Sequence, residues 1–357
     1  MINQKEITSE WISKVSKENE NADKILIEKV IRALLLLEGL VKQKVKFTFK
    51  GGTALMLHFN SAKRLSIDID IILPEENKEL DSLLEELVKV QGFLRKELQN
   101  RSATTQITKS HYKFFYIPAY KTNKDEDYVL LDILFEKSNY QSIVQLPIDS
   151  KFVQIIDNPL LVNVPSIEDI LGDKLTAFAP NTTGIPYFKS EHSMSMEVIK
   201  QLYDIGNLFD KADNLGIIKT TFSQFAETEL KYRLSKNINK KDVIEDIYQT
   251  ALTIASRGIV GMGDFEQLKL GIQRIRTFIF SENFNIEKAI IAASKAAYLS
   301  TLIKHDAEII EKYSNPLQMK DWLLGEPINN KLNKLKKSNP EAFFYWYKIY
   351  KLETEAK

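Results

Sequence analysis

Two adjacent glycines and a pair of aspartates one residue apart are the positions in this chain best suited to chemistry. Gly51-Gly52 follows an alternating polar and apolar run and precedes Thr53-Ala54-Leu55. Glycine lets a backbone approach a phosphate closely, and the unpaired N–H groups at a helix start attract anions. Thr53 offers a hydroxyl to the same cradle. Downstream, Leu65-Ser66-Ile67-Asp68-Ile69-Asp70-Ile71 sets Asp68 and Asp70 at i and i+2. In a strand these share a face, about 6.5 Å apart along the backbone. Carboxylates so spaced can hold one magnesium ion (Mg2+) or share two, because magnesium takes oxygen ligands and keeps some water. Phosphoryl transfer needs such a clamp, since negative charge must be neutralised on the attacking and leaving oxygens. Asp132 is a third carboxylate, inside Tyr128-Val129-Leu130-Leu131-Asp132-Ile133-Leu134-Phe135. Its apolar neighbours predict a buried central strand, where an aspartate is costly unless paired or metal-bound. There it would be a general base, or a second-metal ligand, facing an acceptor hydroxyl. The competing reading is a structural turn followed by solvated aspartates, which the isoleucine- and leucine-rich flanks disfavour.

Two further residues stand out by position. Lys174 lies on the otherwise apolar helical face of Ile167, Ile170, Leu171 and Phe178. It either snorkels to solvent or points into a cleft; on its own pattern, snorkelling is preferred. Asp204 follows Lys200 by four residues, the spacing of an ordinary surface ion pair.

The surrounding pattern says what must position these groups. Residues 7–42 read as helices, with Ile27, Val30, Ile31, Leu34 and Leu35 at three-to-four spacing. Alternation predicts strands at 44–50 and 65–73, with Pro74 ending the second. A charged amphipathic helix is expected at 75–98 and strands at 112–117, 128–135 and 152–156. After Val164-Pro165, Ser166-Ile167-Glu168-Asp169 has the form of a capping box ahead of the helix bearing Lys174. Residues 181–186 read as a loop, and from about 195 onward nearly every segment reads helical. The expectation is an α+β protein: an N-terminal domain over 1–185, with a mixed β-sheet flanked by helices, then an α-helical bundle over 186–357, with the active site between them.

Composition narrows the classes. The 357 residues are 44% hydrophobic and 27% charged, carry a formal net charge of +1, and include no cysteine and four histidines. Disulfides, thiolate zinc sites and a cysteine nucleophile are excluded. The histidines are scattered, against a histidine metal site. No apolar run is long enough for a membrane span, and a cytoplasmic location is expected. Near the C-terminus, Lys331, Lys334, Lys336, Lys337, Lys348 and Lys351 mix with Phe343, Phe344, Tyr345, Trp346, Tyr347 and Tyr350. These suit either nucleic-acid contact or a terminal helix packing its rings inward, and the packing reading is preferred.

Together, Phe49-Lys50-Gly51-Gly52-Thr53-Ala54-Leu55 and Arg64-Leu65-Ser66-Ile67-Asp68-Ile69-Asp70 resemble the signature of the AbiEii/AbiGii toxin-type nucleotidyltransferases, within the polymerase-beta-like superfamily. Asp173-Lys174-Leu175-Thr176-Ala177-Phe178 is similar to the family's second motif and Tyr203-Asp204-Ile205 to its third. One departure is that Lys200-Gln201 stands where the family commonly carries an Arg-Asp pair. The resemblance implies nucleotide contacts from Gly51, Gly52, Thr53, Arg64, Ser66, Lys174 and Lys200. It implies magnesium on Asp68 and Asp70, Lys174 on the triphosphate, and Asp204 completing the cleft. It further implies a nucleoside triphosphate (NTP) donor, an RNA acceptor such as the tRNA 3′ end, a cognate antitoxin and a role in toxin–antitoxin or phage-defence systems. The remaining alternatives are a protein or small-molecule acceptor, and a non-catalytic RNA- or partner-binding protein on a degenerate transferase scaffold.

Overall fold

The computed structural model describes residues 1–59, 63–76, 78–99, 108–121, 123–233 and 237–355. They divide into two compact units, Met1–Ser166 with Thr277–Asn283, and Ile167–Arg276 with Phe284–Lys357. The division falls ahead of the helix that carries Lys174, earlier than the boundary expected at 185.

The first unit opens with α1 (Ser9–Glu18) and α2 (Lys24–Lys42). Their N-termini are capped by Thr8 and Asp23, whose side chains accept from the N–H groups of Trp11 and Leu26. Then follow β1 (Thr48–Lys50), α3 (Gly51–Phe59), β2 (Ile69–Leu73), α4 (Leu80–Val90), β3 (Arg95–Leu98), β4 (Lys109–Tyr116) and β5 (Asp127–Phe135). The strands form one mixed sheet in the order β1-β2-β5-β4-β3, with β2 and β5 parallel and the other neighbours antiparallel. A hairpin of β6 (Ile143–Pro147) and β7 (Leu161–Pro165) completes the unit.

Period-two alternation sorts this sheet into two faces. Phe49, Ile69, Ile71, Phe114, Val129, Leu131 and Ile133 are buried on one. Each contributes about 1.5–3 kcal/mol by leaving water. α2 lies on that face, with the Arg32 guanidinium 4.9 Å from the Tyr116 ring centroid. α4 lies there too, its Asp81 and Glu85 pairing with Lys96 of β3. Asp70 and Asp132 are therefore left on the other face.

Several elements differ from the sequence expectation. The helix expected at 75–98 ends at Val90, because Gln91 caps it and Gly92, at φ +70°, turns the chain into β3. β1 starts only at Thr48, paired with Ile72. Continuing that register backward sets Lys46 opposite Pro74, which cannot extend a ladder. β2 starts only at Ile69, since β1 gives way to α3 after Lys50 and leaves Asp68 unmatched. Residues 152–156 form no strand; Ile155 makes a lone bridge to Ile2. β3, β6 and β7 were not expected.

The second unit contains α5 (Ile167–Ala177), a short hairpin of β8 (Phe188–Lys189) and β9 (His192–Ser193), α6 (Ser195–Phe209), α7 (Leu215–Tyr232), α8 (Lys240–Ala255), α9 (Phe265–Arg274), α10 (Ile286–Lys304), α11 (Leu335–Ser338) and α12 (Pro340–Glu355). α10 is buried almost all round, which its alanines permit by letting neighbours approach closely. A Cβ on Gly206 of α6 would meet the Ala292 Cβ at 2.9 Å. α12 buries Phe343, Phe344, Tyr345 and Trp346, while Lys348 pairs with Glu311. The lysine–aromatic segment is a packed helix at these positions. Among the described residues, no helix is long and apolar enough to cross a membrane.

Candidate active site

A single row of polar residues crosses the sheet. Lys50 of β1 is registered with Asp70 of β2, Asp70 with Asp132 of β5, and Asp132 with His111 of β4. The flanking Phe49, Ile69, Ile71, Tyr112, Leu131 and Ile133 are buried, so the row is displayed on the face that α2 and α4 leave open. Asp132 is half-exposed, with 31% of its side chain accessible, which corrects the expectation of a buried aspartate. Its strand is apolar on both faces, and only Val129, Leu131 and Ile133 point into the core. His111 Nδ1 lies 2.7 Å from Asp132 Oδ1. Asp70 and Asp132 are neighbours on adjacent parallel strands, about 4.8 Å apart. Like charges directly opposite each other destabilise a sheet, so this pairing has to be offset by cations.

The glycine turn abuts the row. Gly51 begins α3 at φ +80°. A Cβ there would overlap the Asp70 Oδ2 oxygen, with Asp70 Cγ at 2.9 Å. Only glycine gives both the left-handed backbone and the empty space that this carboxylate occupies. A Cβ on Gly52 would meet Ser66 Oγ at 2.6 Å and the Arg64 guanidinium at 2.7 Å. Gly51, Gly52, Arg64, Ser66 and Asp70 are therefore brought together at the start of α3. Thr53 has a different part from the one expected. It is fully buried, and its hydroxyl donates to the Asp68 main-chain oxygen at 2.7 Å. The proton is used to tether the segment before β2 to α3 instead of being offered to a phosphate.

Lys174, Asp204 and Lys200 belong to the second unit. Lys174 does not snorkel. It is buried, with Nζ 2.9 Å from Asp204 Oδ2 and donating to Gln201 Oε1 at 2.8 Å. Asp204 is buried as well. The expected Lys200–Asp204 surface pair is replaced by this inner one, while Lys200 lies 3.9 Å from Glu197. The reason is the packing of α5 on α6, which turns the inner faces of the two helices toward each other.

The donor chemistry of the first unit fits magnesium. Asp70 and Asp132 supply carboxylate oxygens on an accessible face, and Asp68 stands two residues before Asp70. Among the described residues, no three acidic or histidine side chains converge into a ready-made cage. An ion held here would complete its shell with water and substrate oxygens, the habit of magnesium and not of zinc.

Comparison with known proteins places the chain in a family. Residues 35–280, which include every residue discussed above as a site candidate, match the family model "Nucleotidyl transferase AbiEii toxin, Type IV TA system". The chain belongs to this family. It is a nucleotidyltransferase of the AbiEii toxin type. No curated protein matches it in sequence. Among solved structures, it is similar in fold to MenT4, a nucleotidyltransferase toxin from Mycobacterium tuberculosis. The identity is 14%, the TM-score is 0.50, and the likeness covers 82% of this chain and 89% of MenT4. JHP933 from Helicobacter pylori is also similar, at 15% identity and a TM-score of 0.42, over 80% of this chain and 94% of that one.

Sequence reasoning missed three residues that stand beside the candidates, two in the first unit and one in the second. Lys50 was read only as part of the strand leading to the glycines. His111 carries no spacing signal, because its link to Asp132 is made by cross-strand register over 21 residues. Gln201 was noted only as a departure from the family pattern, yet it is the residue that shares Lys174 with Asp204.

Proposed function

We propose that this chain transfers a nucleoside monophosphate from an NTP to a hydroxyl of RNA, with the tRNA 3′ end as the preferred acceptor. It would act in the cytoplasm as the toxin of a toxin–antitoxin or phage-defence system, held in check by a cognate antitoxin. The observation that carries the reading is the like-charged Asp70–Asp132 pair, set in register against a glycine turn with no room for a Cβ. Two carboxylates so placed, with Lys50 and His111 flanking them in the row, suit divalent cations and the phosphates of an NTP.

In this reading the N–H groups at the start of α3, with Ser66 and Arg64, hold the β- and γ-phosphates. Asp68, Asp70 and Asp132 hold magnesium. When bound, the metal neutralises charge on the α-phosphate and polarises it toward attack. Asp132 takes the proton of the acceptor hydroxyl, and His111 fixes the carboxylate orientation through its 2.7 Å bond. The acceptor oxygen bonds to the α-phosphorus in line as the bond to the bridging oxygen breaks, and pyrophosphate leaves. Lys174, ion-paired with Asp204 and hydrogen-bonded to Gln201, is the cation that the motif resemblance assigns to the triphosphate. Support for the antitoxin comes from the family description, and support for RNA from the motif resemblance.

The test is incorporation. Protein, magnesium, each α-labelled NTP in turn and total bacterial RNA are incubated and resolved on a denaturing gel. Label in RNA with one nucleotide, lost in Asp68→Ala/Asp70→Ala, is the expected result. Retained activity in that double variant refutes the site, and label on polypeptide moves the acceptor to protein.

A further inference from the structure

The sheet face that displays the aspartate row continues beyond it. On β5 the same face next presents Leu130 and then Tyr128, by period-two alternation. The register sets Lys113 opposite Leu130, Phe115 opposite Tyr128, and Arg95 of β3 opposite Phe115. Leu130, Lys113, Phe115 and Tyr128 are all partly exposed. The rings of Phe115 and Tyr128 lie 5.7 Å apart between centroids. The Arg95 guanidinium sits 3.8 Å from the Phe115 centroid, and the Lys113 and Lys29 ammonium groups sit 4.4 Å and 5.0 Å from that of Tyr128.

These rings do not fill the core. That task falls to Phe114, Val129 and Leu131 on the opposite face. The solvent side of an antiparallel sheet ordinarily carries polar side chains. Two adjacent, partly exposed rings with three cations against them are the composition of a platform on which bases stack.

We propose that this strip of β3, β4 and β5 binds the single-stranded end of the nucleic-acid acceptor. Bases stack on Phe115, Tyr128 and the Arg95 plane, and Lys113 meets a backbone phosphate. The inference rests on the RNA-acceptor reading above. Continuity with the catalytic row argues for it. Tyr128 precedes Asp132 by four residues on one strand, about 13 Å. A strand stacked at Tyr128 therefore reaches the aspartates a few nucleotides later without leaving the sheet. A duplex cannot use the platform, because its base faces are already stacked on one another. Arg95 is also paired with Glu97 at 3.1 Å and Glu126 at 2.7 Å. Those carboxylates offset its charge, so its part is stacking, and phosphate neutralisation is left to Lys113.

The test is direct binding, separate from catalysis. A short 5′-fluorescein oligoribonucleotide and a blunt duplex of the same sequence are titrated with the full-length protein at low salt, followed by anisotropy. The wild type should bind the single strand more tightly than the duplex. Phe115→Leu/Tyr128→Leu should weaken single-strand binding by roughly tenfold or more, with NTP binding unchanged, and Tyr128→Phe should retain it. Lys113→Glu, which removes no packing from the core, should also weaken it and flatten its salt dependence. A wild type that prefers the duplex or does not bind the single strand overturns the platform. So does a double variant that binds like the wild type. If RNA is labelled with an unchanged KM for RNA in the double variant, the platform fails while the acceptor reading stands. If label goes to protein and the oligonucleotide is not bound, both fail.

Discussion

Replacing Gly51 with alanine probes the most constrained contact in the site. The backbone there is at φ +80°, which costs an L-residue with a Cβ roughly 1–2 kcal/mol. The added methyl also overlaps Asp70 Oδ2, with Asp70 Cγ at 2.9 Å and Cβ at 3.1 Å. The carboxylate must give way by about 1 Å, a displacement that typically costs on the order of 100-fold in rate when it moves a reacting group. The strain alone should lower Tm by roughly 2–8 °C, from the usual shift per kcal/mol in domains of this size. Gly52→Ala is the contrast. It meets the flexible ends of Ser66 and Arg64, so KM for the NTP should rise with a smaller fall in kcat. The assays are thermal melting and steady-state incorporation with varied NTP. A Gly51→Ala variant that melts early but keeps the wild-type kcat would refute the claim that the glycine exists to seat Asp70.

Other outcomes follow from the same contacts. Lys174→Met leaves Asp204 buried without its lysine and should destabilise by about 3–5 kcal/mol. Lys174→Met/Asp204→Leu should cost clearly less than the two single changes together, and urea denaturation of the four proteins reads the difference. A purely additive result would mean that the pair is not coupled. Burial pushes the Tyr187 and Tyr298 phenols up to about 12, from an ordinary value of 10.0. A raised value favours the neutral phenol in the folded state, so this contribution to stability is complete below pH 10 and is lost as pH rises through about 12. Alkaline titration followed by tyrosine absorbance should show these two ionising only with unfolding, and smooth titration in the folded protein would contradict their burial.

Much of the first unit was legible from residue order. Alternation at Ile69-Asp70-Ile71 announced a strand with Asp70 on the face opposite the isoleucines, and the apolar run Tyr128 to Phe135 announced a second strand, because side-chain direction in a strand is set locally by its period of two. The glycine pair before a short helix was legible for the same reason, since a left-handed turn needs a residue without a Cβ. The break of the expected 75–98 helix was carried by Gly92 but hidden by the amphipathic lysines and glutamates around it.

Pairing between strands and helices was decided only by the tertiary structure. Nothing in the order of residues says that Asp132 will lie beside Asp70 instead of in the core, that His111 will bond it, or that Phe115 and Tyr128 will meet. Register is a long-range choice, made by burial of the opposite face. The inward turn of Lys174 toward Asp204 and Gln201 is likewise a property of two packed helices. Local pattern determined which residues could do chemistry. Only the packing of distant segments decided which of them stand together, because energies between residues far apart in sequence are not written in the periodicity of either segment.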